Sequence, residues 1–315
     1  MWLLLTQIFP YAIAFTIPLL ITSLGGLFSE RSGVVNIGLE GLMVIGMFAS
    51  AVTISTLQPI LPEGALWIGL ISAMVFGSLF SLLHAFASIN LNADQVISGT
   101  AINMIAGALT VFIARNMTGS GNIRITSGFL RMDIPVLHKI PILGKLFFTQ
   151  TYITTWLVLL ILLIAWLVIY KTAFGLRIRS CGEHPHAADA AGVNVYLVRY
   201  ISVMTSGAFA GLGGAILLVT IAGEFTGSVA GLGFLSLAAL IFGQWKPFGI
   251  LGSTFFFGFS ATLANVSQVV PALASIPGIV LKTFPYIVTL IALVVFSKSS
   301  SAPRAIGEPF EHGKR

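Results

Sequence analysis

Along the chain, long apolar blocks alternate with short polar turns. A bilayer's hydrocarbon core of about 30 Å takes about 20 residues of apolar helix. Blocks of that order lie near Ile8–Phe28, Ile37–Leu57, Ala65–Ile89, Val96–Ala114, Tyr152–Tyr170, Tyr200–Ala222, Phe248–Val270 and Ile276–Phe296. A further block, Val229–Gly243, is shorter and flanked by glycine, the pattern of a broken or half-spanning helix. No long stretch alternates with period two, which argues against a β-barrel. The expected fold class is therefore all-α: a polytopic transmembrane helical bundle of about nine spans, with eight to ten as the range. Residues 1–296 hold the spans, interrupted by two polar segments, Arg115–Phe148 and Lys171–Arg199, and a polar tail covers 297–315.

Composition narrows the class. Of 315 residues, 57% are hydrophobic and 8% charged, and the mean hydropathy is +0.99. Soluble domains carry about 25% charged residues, so this supply cannot coat a water-facing surface. A soluble enzyme, a nucleic-acid binder and a disordered chain are excluded together. The net charge of +6 speaks instead to orientation. With Lys171–Arg199 cytoplasmic, Arg31, Lys171, Arg177, Arg179, Arg199, Lys246, Lys298, Arg304, Lys314 and Arg315 fall inside, and Arg115, Arg124, Arg131, Lys139, Lys145 and Lys282 outside. That count of ten against six favours this topology under the positive-inside rule, with the N-terminus outside and the tail inside. Met1-Trp2-Leu3 lacks the basic start of a removable signal peptide. The single cysteine, Cys181, permits no internal disulfide and reads as a spare thiol in a loop.

One pattern occurs twice. Glu30-x-x-Gly33 followed by Gly38-Leu39-Glu40-Gly41-Leu42 echoes Glu224-x-x-Gly227 followed by Gly231-Leu232-Gly233-Phe234-Leu235. The topology above puts the first copy at the cytoplasmic face and the second at the outer face. That is the inverted repeat of many transporters. Glycine-rich membrane sequence also matches itself by coincidence, so both readings stand.

The chain carries no nucleotide-hydrolysing motif: Gly144-Lys145 is followed by Leu146 where a phosphate loop needs Ser or Thr. No His-Glu-x-x-His or Gly-x-Ser-x-Gly appears either. His184 and His186, near Glu183 and Asp189, read as a solvated loop rather than a metal site. No metal or cofactor is expected on this chain, and any ATP drive must come from another subunit.

Three groups of residues invite function. In the polar segment 171–199, Pro185 suits a first helical turn and Gly192 its C-terminal cap. His186, Ala187 and Ala188 lie between them, and such small side chains let a partner protein approach closely. The alternative is a helix lying on the membrane surface. Asn36, Glu40, Asn103 and Asn265 fall in or beside spans. Polar groups there line a translocation path or gate, or lock helices together by hydrogen bonds. Asp94 and Gln95 read as a helix cap, and His84 as a packing residue. Gly207, Gly211 and Ala215 form a small-x-x-x-small face for helix packing, within the chain or across a dimer.

The loop pattern His186-Ala187-Ala188-x-x-x-Gly192 resembles the Glu-Ala-Ala-x-x-x-Gly loop of ABC-importer permeases. His stands in place of Glu, and the Leu-Pro that follows in that pattern is absent. These departures point to the simple-sugar, nucleoside and branched-chain amino acid branch. Within it, Glu30-Arg31-Ser32-Gly33-Val34-Val35-Asn36-Ile37-Gly38-Leu39-Glu40-Gly41, the run from Asn92 to Asn103 and the run from Ser206 to Ala215 look most like nucleoside ABC transporter permeases. The likeness extends from Pro18 to about Phe296.

The resemblance implies a multi-pass protein of a bacterial plasma membrane, in contact with lipid and not with nucleic acid. It implies a second permease subunit, often a different chain, and a cytoplasmic ATPase with two nucleotide-binding domains that uses the ATP. It also implies an extracellular solute-binding lipoprotein, for which the basic segment Arg115–Phe148 is a candidate docking surface; anionic lipid headgroups are the other reading of that segment. The alternatives are a permease for a simple sugar such as ribose and a secondary transporter with Glu40 as its coupling carboxylate.

Overall fold

The computed structural model describes residues 2–266, 280, 283, 284, 287 and 301–312. The helices in chain order are α1 (Trp2–Arg31), α2 (Leu39–Leu57), α3 (Pro62–Ile89), α4 (Gln95–Thr118), α5 (Leu143–Phe147), α6 (Ile153–Lys171), α7 (Ala173–Glu183), α8 (Pro185–Ala190), α9 (Val195–Leu217), α10 (Leu232–Phe242) and α11 (Pro247–Val266). Seven of the described helices are long and apolar enough to cross a membrane, and α10 is a shorter apolar helix. The span expected at Ile276–Phe296 lies outside the described residues but for four isolated positions.

Local chemistry sets several boundaries. Asp94 Oδ1 accepts from the N–H groups of Val96 and Ile97 at 2.8 and 3.0 Å, capping α4. The polar segment 171–199 is largely helical, which its composition hides. Thr172 Oγ1 caps α7 by accepting from Gly175 N at 3.1 Å, and Ile178 and Cys181 bury one face of that helix.

α9 lies at the centre, packed on α1, α2 and α3. Its small face explains how. A side chain at Gly207 would strike the Gly77 carbonyl and Ser81, and one at Gly211 the Ala73 carbonyl; Gly46 of α2 is equally tight on Gly211. Ala215 is fully buried. Gly207, Gly211 and Ala215 thus face neighbours within the chain, where close backbone approach replaces a hydrophobic driving force that lipid cannot supply.

The two ends of the bundle differ. At one end, Gln58 Nε2 donates to Ser127 O at 2.7 Å, Thr126 N donates to Gln58 Oε1 at 2.9 Å, and a two-stranded ladder joins Ile123–Arg124 (β1) to Glu224–Phe225 (β2). Tyr152 O–H donates to Thr220 O at 2.9 Å, and the Arg131 guanidinium sits 4.0 Å over the Tyr11 ring. Arg115–Phe148 is therefore not a loose loop but a folded cover. At the other end gather the C-terminus of α1, α7, α8, Trp245 and the segment 301–312.

Candidate functional site

Two helices begin inside the bundle rather than at its ends. α2 starts at Leu39 after a turn through Ser32–Gly38, and α10 starts at Leu232 after Gly231, whose φ is +81°. At 1.5 Å per residue α10 reaches about 16 Å, roughly half the hydrocarbon depth. The two starts meet at Glu40. Its Oε1 accepts from Gly231 N at 2.8 Å and its Oε2 from Gly233 N at 2.7 Å. A carboxylate is stabilised there because the first N–H groups of a helix lack intrahelical partners and carry partial positive charge. Only glycine fits at position 233, since a Cβ would collide with the Glu40 backbone.

Asn103 and Asn36 complete the junction. Asn103 Oδ1 accepts from Gly41 N at 2.7 Å, satisfying an orphan donor at the start of α2, while its Nδ2 donates to Ile37 O at 3.0 Å. Asn36 is fully buried; its Nδ2 donates to Ser206 Oγ at 2.9 Å and its Oδ1 accepts from Gly38 N at 3.1 Å. Non-helical backbone at membrane depth needs such internal partners. In this conformation the polar atoms of Asn36, Glu40 and Asn103 are thus spent on the protein's own backbone and on Ser206. The side chain of Asn265, close to the end of α11, lies outside the described residues.

The two repeated stretches do not sit at opposite faces as the topology suggested. Gly38–Leu42 and Gly231–Leu235 touch through Glu40. Spacing along the sequence could not show this, because α2 then runs to the Gln58 end and the shorter α10 to the Trp245 end.

Residues outside the candidate pathway set brace the junction: Gln95, read as a helix cap, reaches across to the turn while Asp94 alone caps α4, and His84 is a packing residue as expected. Gln95 Oε1 accepts from Val35 N at 2.6 Å, and His84 Nε2 donates to Val35 O at 2.9 Å. Trp245 Nε1 donates to Glu30 at 2.5 Å, while Arg31 donates to Trp245 O at 2.8 Å. Arg199, only 1% exposed, donates through Nε to Ser32 O and through Nη1 to Glu308 O, both at 3.2 Å. Its place at the edge of a span gave it the look of a surface charge; its burial gives it a structural task.

The second candidate region is α8. Pro185 is its first residue and Gly192 follows it at φ +82°, the left-handed geometry that ends a helix. His186, Ala187, Ala190, Ala191 and Gly192 are exposed. Pro185 and Ala188 are buried, Ala188 with 5% exposure. This corrects the expected docking face: Ala188 packs within its own chain and Ala187 and Ala190 face outward. Asp189 Oδ2 meets His312 Nδ1 at 2.8 Å. Next to α8, burial pushes the Cys181 thiol up to about 11 against the lowering pull of Arg199, so the thiol stays neutral and unreactive.

Over residues 8–295 the sequence matches the family described as branched-chain amino acid transport system / permease component. The chain belongs to this permease family. Among its relatives, the guanosine ABC transporter permease protein NupQ of Bacillus subtilis (strain 168) is 48% identical over 314 residues, 99% of this chain and 98% of that one. The nucleoside ABC transporter permease protein NupC of Lactococcus lactis subsp. cremoris (strain MG1363) is 44% identical over 294 residues, 93% of each chain. A second guanosine ABC transporter permease protein of Bacillus subtilis, NupP, is 29% identical over 245 residues, 74% of this permease and 67% of its own length.

Proposed function

We propose that this permease is the membrane-spanning subunit of a nucleoside ABC importer in a bacterial plasma membrane, driven by a separate ATPase. The near full-length identity to permeases named for guanosine and nucleosides carries the substrate class. The same two organisms each hold a second, more distant permease protein, which supports pairing with a second, different permease chain. A cytoplasmic ATPase with two nucleotide-binding domains and an extracellular solute-binding lipoprotein complete the assembly. ATP is used by the ATPase, and this chain binds no cofactor or metal of its own.

The junction is the gate in this reading. While Glu40 caps α10, the polar side chains are engaged and the route is shut. Parting α10 from α2 would free Glu40, Asn36 and Asn103 to exchange hydrogen bonds with a passing nucleoside. Such a path needs only weak sites, because the lipoprotein supplies the affinity. His186, Ala187 and the exposed residues through Gly192 form the ATPase-coupling surface, with Pro185 and Ala188 holding it in place. Gly207, Gly211 and Ala215 keep α9 as the fixed post.

The end that carries Arg31, Lys171, Arg177, Arg179, Arg199, Lys246 and Arg304 is cytoplasmic in this reading. Nine crossings fit it: α11 runs away from the Trp245 end, whereas Ser301 N donates to Gln244 Oε1 back at that end. The two starts at Glu40 and Gly231, with helices leaving in opposite directions, suit an inverted repeat. The permease domain is then 1–296, with coupling loop 171–199, outer segment 115–148 and cytoplasmic tail 297–315.

A sugar such as ribose is the second substrate reading. A putative glucose ABC transporter permease protein of Haloferax volcanii, 31% identical over 297 residues, favours it. A secondary transporter is disfavoured by the permease family match. Uptake of labelled guanosine and ribose into proteoliposomes holding the full complex separates these readings. ATP-dependent guanosine uptake that ribose does not compete is expected; ribose uptake alone would overturn the nucleoside assignment.

A further inference from the structure

The C-terminal segment 301–312 is rich in proline, glycine and charge, a composition that ordinarily leaves a chain end loose. Here it is tied along its length and forms a strap over the Trp245 end of the bundle. Ala305 N donates to Gly182 O at 2.9 Å, just before α8. Gly307 N donates to Gly33 O at 3.0 Å, in the turn that leads to α2. Glu308 O accepts from the buried Arg199, which also holds Ser32 O. Phe310, 3% exposed, lies 5.1 Å from the His186 ring and 5.5 Å from the Tyr196 ring, and Tyr196 O–H donates to Phe310 O at 3.3 Å. His312 then meets Asp189 on α8 at 2.8 Å.

This segment therefore touches two places, in addition to the direct packing of Gly182 on the Arg31 carbonyl. One is α8, which it grips through Phe310 and His312. The other is the Ser32–Gly33 turn, which Arg199 and Gly307 hold and which runs directly through Asn36 to Glu40. Gly33 has φ +96° and lies so close to Arg199 Nη2 that a side chain there would meet it at 2.8 Å, so the turn has little freedom to move without Arg199 and the strap. A cavity of about 460 Å³ between α8 and the strap, lined by His184, His186, Arg304 and Glu308 among others, leaves room for α8 to shift against it.

We propose that residues 301–312 are a mechanical link: Phe310 and Arg199 are positioning residues that carry displacement of the ATPase-docking helix α8 to the turn before Glu40. The proposal rests on the permease reading above. The strap is not needed for the ATPase to bind, because the outward side chains of α8 are its own. It is needed for hydrolysis to move the gate.

The test uses the full complex in proteoliposomes, measuring guanosine uptake, ATP hydrolysis and co-purification of the ATPase together. Phe310→Ala removes the grip on α8, and Phe310→Leu restores an apolar plug. A two-glycine insertion between Gly307 and Glu308 keeps every group and slackens the strap, which guards against a variant that merely fails to fold. Residues that carry coupling modulate it by about twofold to thirtyfold. Uptake per ATP hydrolysed should therefore fall about tenfold in Phe310→Ala and in the insertion, recover in Phe310→Leu, and leave co-purification unchanged. An unchanged uptake-to-hydrolysis ratio in the insertion overturns the link. So does loss of the ATPase from the complex, which would make the strap part of the docking surface. Absence of ATP-dependent uptake in the unaltered complex would instead overturn the permease reading itself.

Discussion

The junction at Glu40 and the face of α8 both carry small and polar residues that invite function, yet they are built in opposite ways. At the junction every polar side chain is turned inward: Glu40, Asn36 and Asn103 satisfy backbone N–H groups that two internal helix starts leave open. On α8 the small side chains are divided, with Ala188 buried and Ala187 and Ala190 facing out. The difference follows from the surroundings. In a bilayer an unpaired N–H has no water to turn to, so polar residues are used up in holding the backbone. At the water-facing end the backbone is less demanding, and a short helix leaves a surface free for a partner. Under the proposed function a residue at the junction is therefore both lock and gate, whereas on α8 packing and partner contact fall to different residues.

Asn103→Leu should expose the largest effect of that difference. It leaves Gly41 N and Ile37 O without their partner, and each unsatisfied buried group costs about 1–3 kcal/mol. Thermal unfolding in detergent should shift downward and uptake should fall in the same variant; normal stability would show that the asparagine is no lock. On α8 the two roles should separate. Ala188→Arg overfills a buried position, at about 1–3 kcal/mol, and should lower the yield of folded protein. Ala187→Arg should leave the yield intact and lose the ATPase on co-purification. Equal behaviour of the two would erase the distinction between the faces of α8. The smallest effect concerns Cys181. With its thiol held up to about 11, the thiolate is scarce at pH 8 and gains only as pH rises toward that value. Maleimide labelling of the native protein at pH 8 should be much slower than after denaturation; equal rates would place the thiol at the surface.

Much of this was legible in the sequence. The long spans announce themselves by length and apolarity, and α10 by its flanking glycines. Pro185 and Gly192 bracket α8 because each suits one end of a helix for a steric reason. What the sequence did not disclose is mostly pairing at a distance. Nothing local in Glu40 says that it meets Gly231 and Gly233, nearly 200 residues away. α7 was hidden because a helix at the polar end of a bundle needs only a few apolar positions, here Ile178 and Cys181. Arg199 looked like one more positive-inside charge, and only its burial shows that it ties Ser32 to Glu308. The segment Arg115–Phe148 read as polar, yet Leu146 and the strand pairing of Ile123 with Phe225 hold it onto the bundle.

The central claim is that the carboxylate of Glu40 latches α10 to α2 and must let go for a nucleoside to pass. Glu40→Gln tests it most directly, because the amide keeps size and polarity but offers one acceptor where the carboxylate offers two. Guanosine uptake per assembled complex, with ATPase and lipoprotein present, is the measurement. The account predicts uptake changed by about tenfold to a hundredfold, since a lost charge-assisted hydrogen bond is worth about 1.5–3 kcal/mol, with assembly of the complex unchanged. Uptake per complex equal to that of the unaltered permease would contradict it.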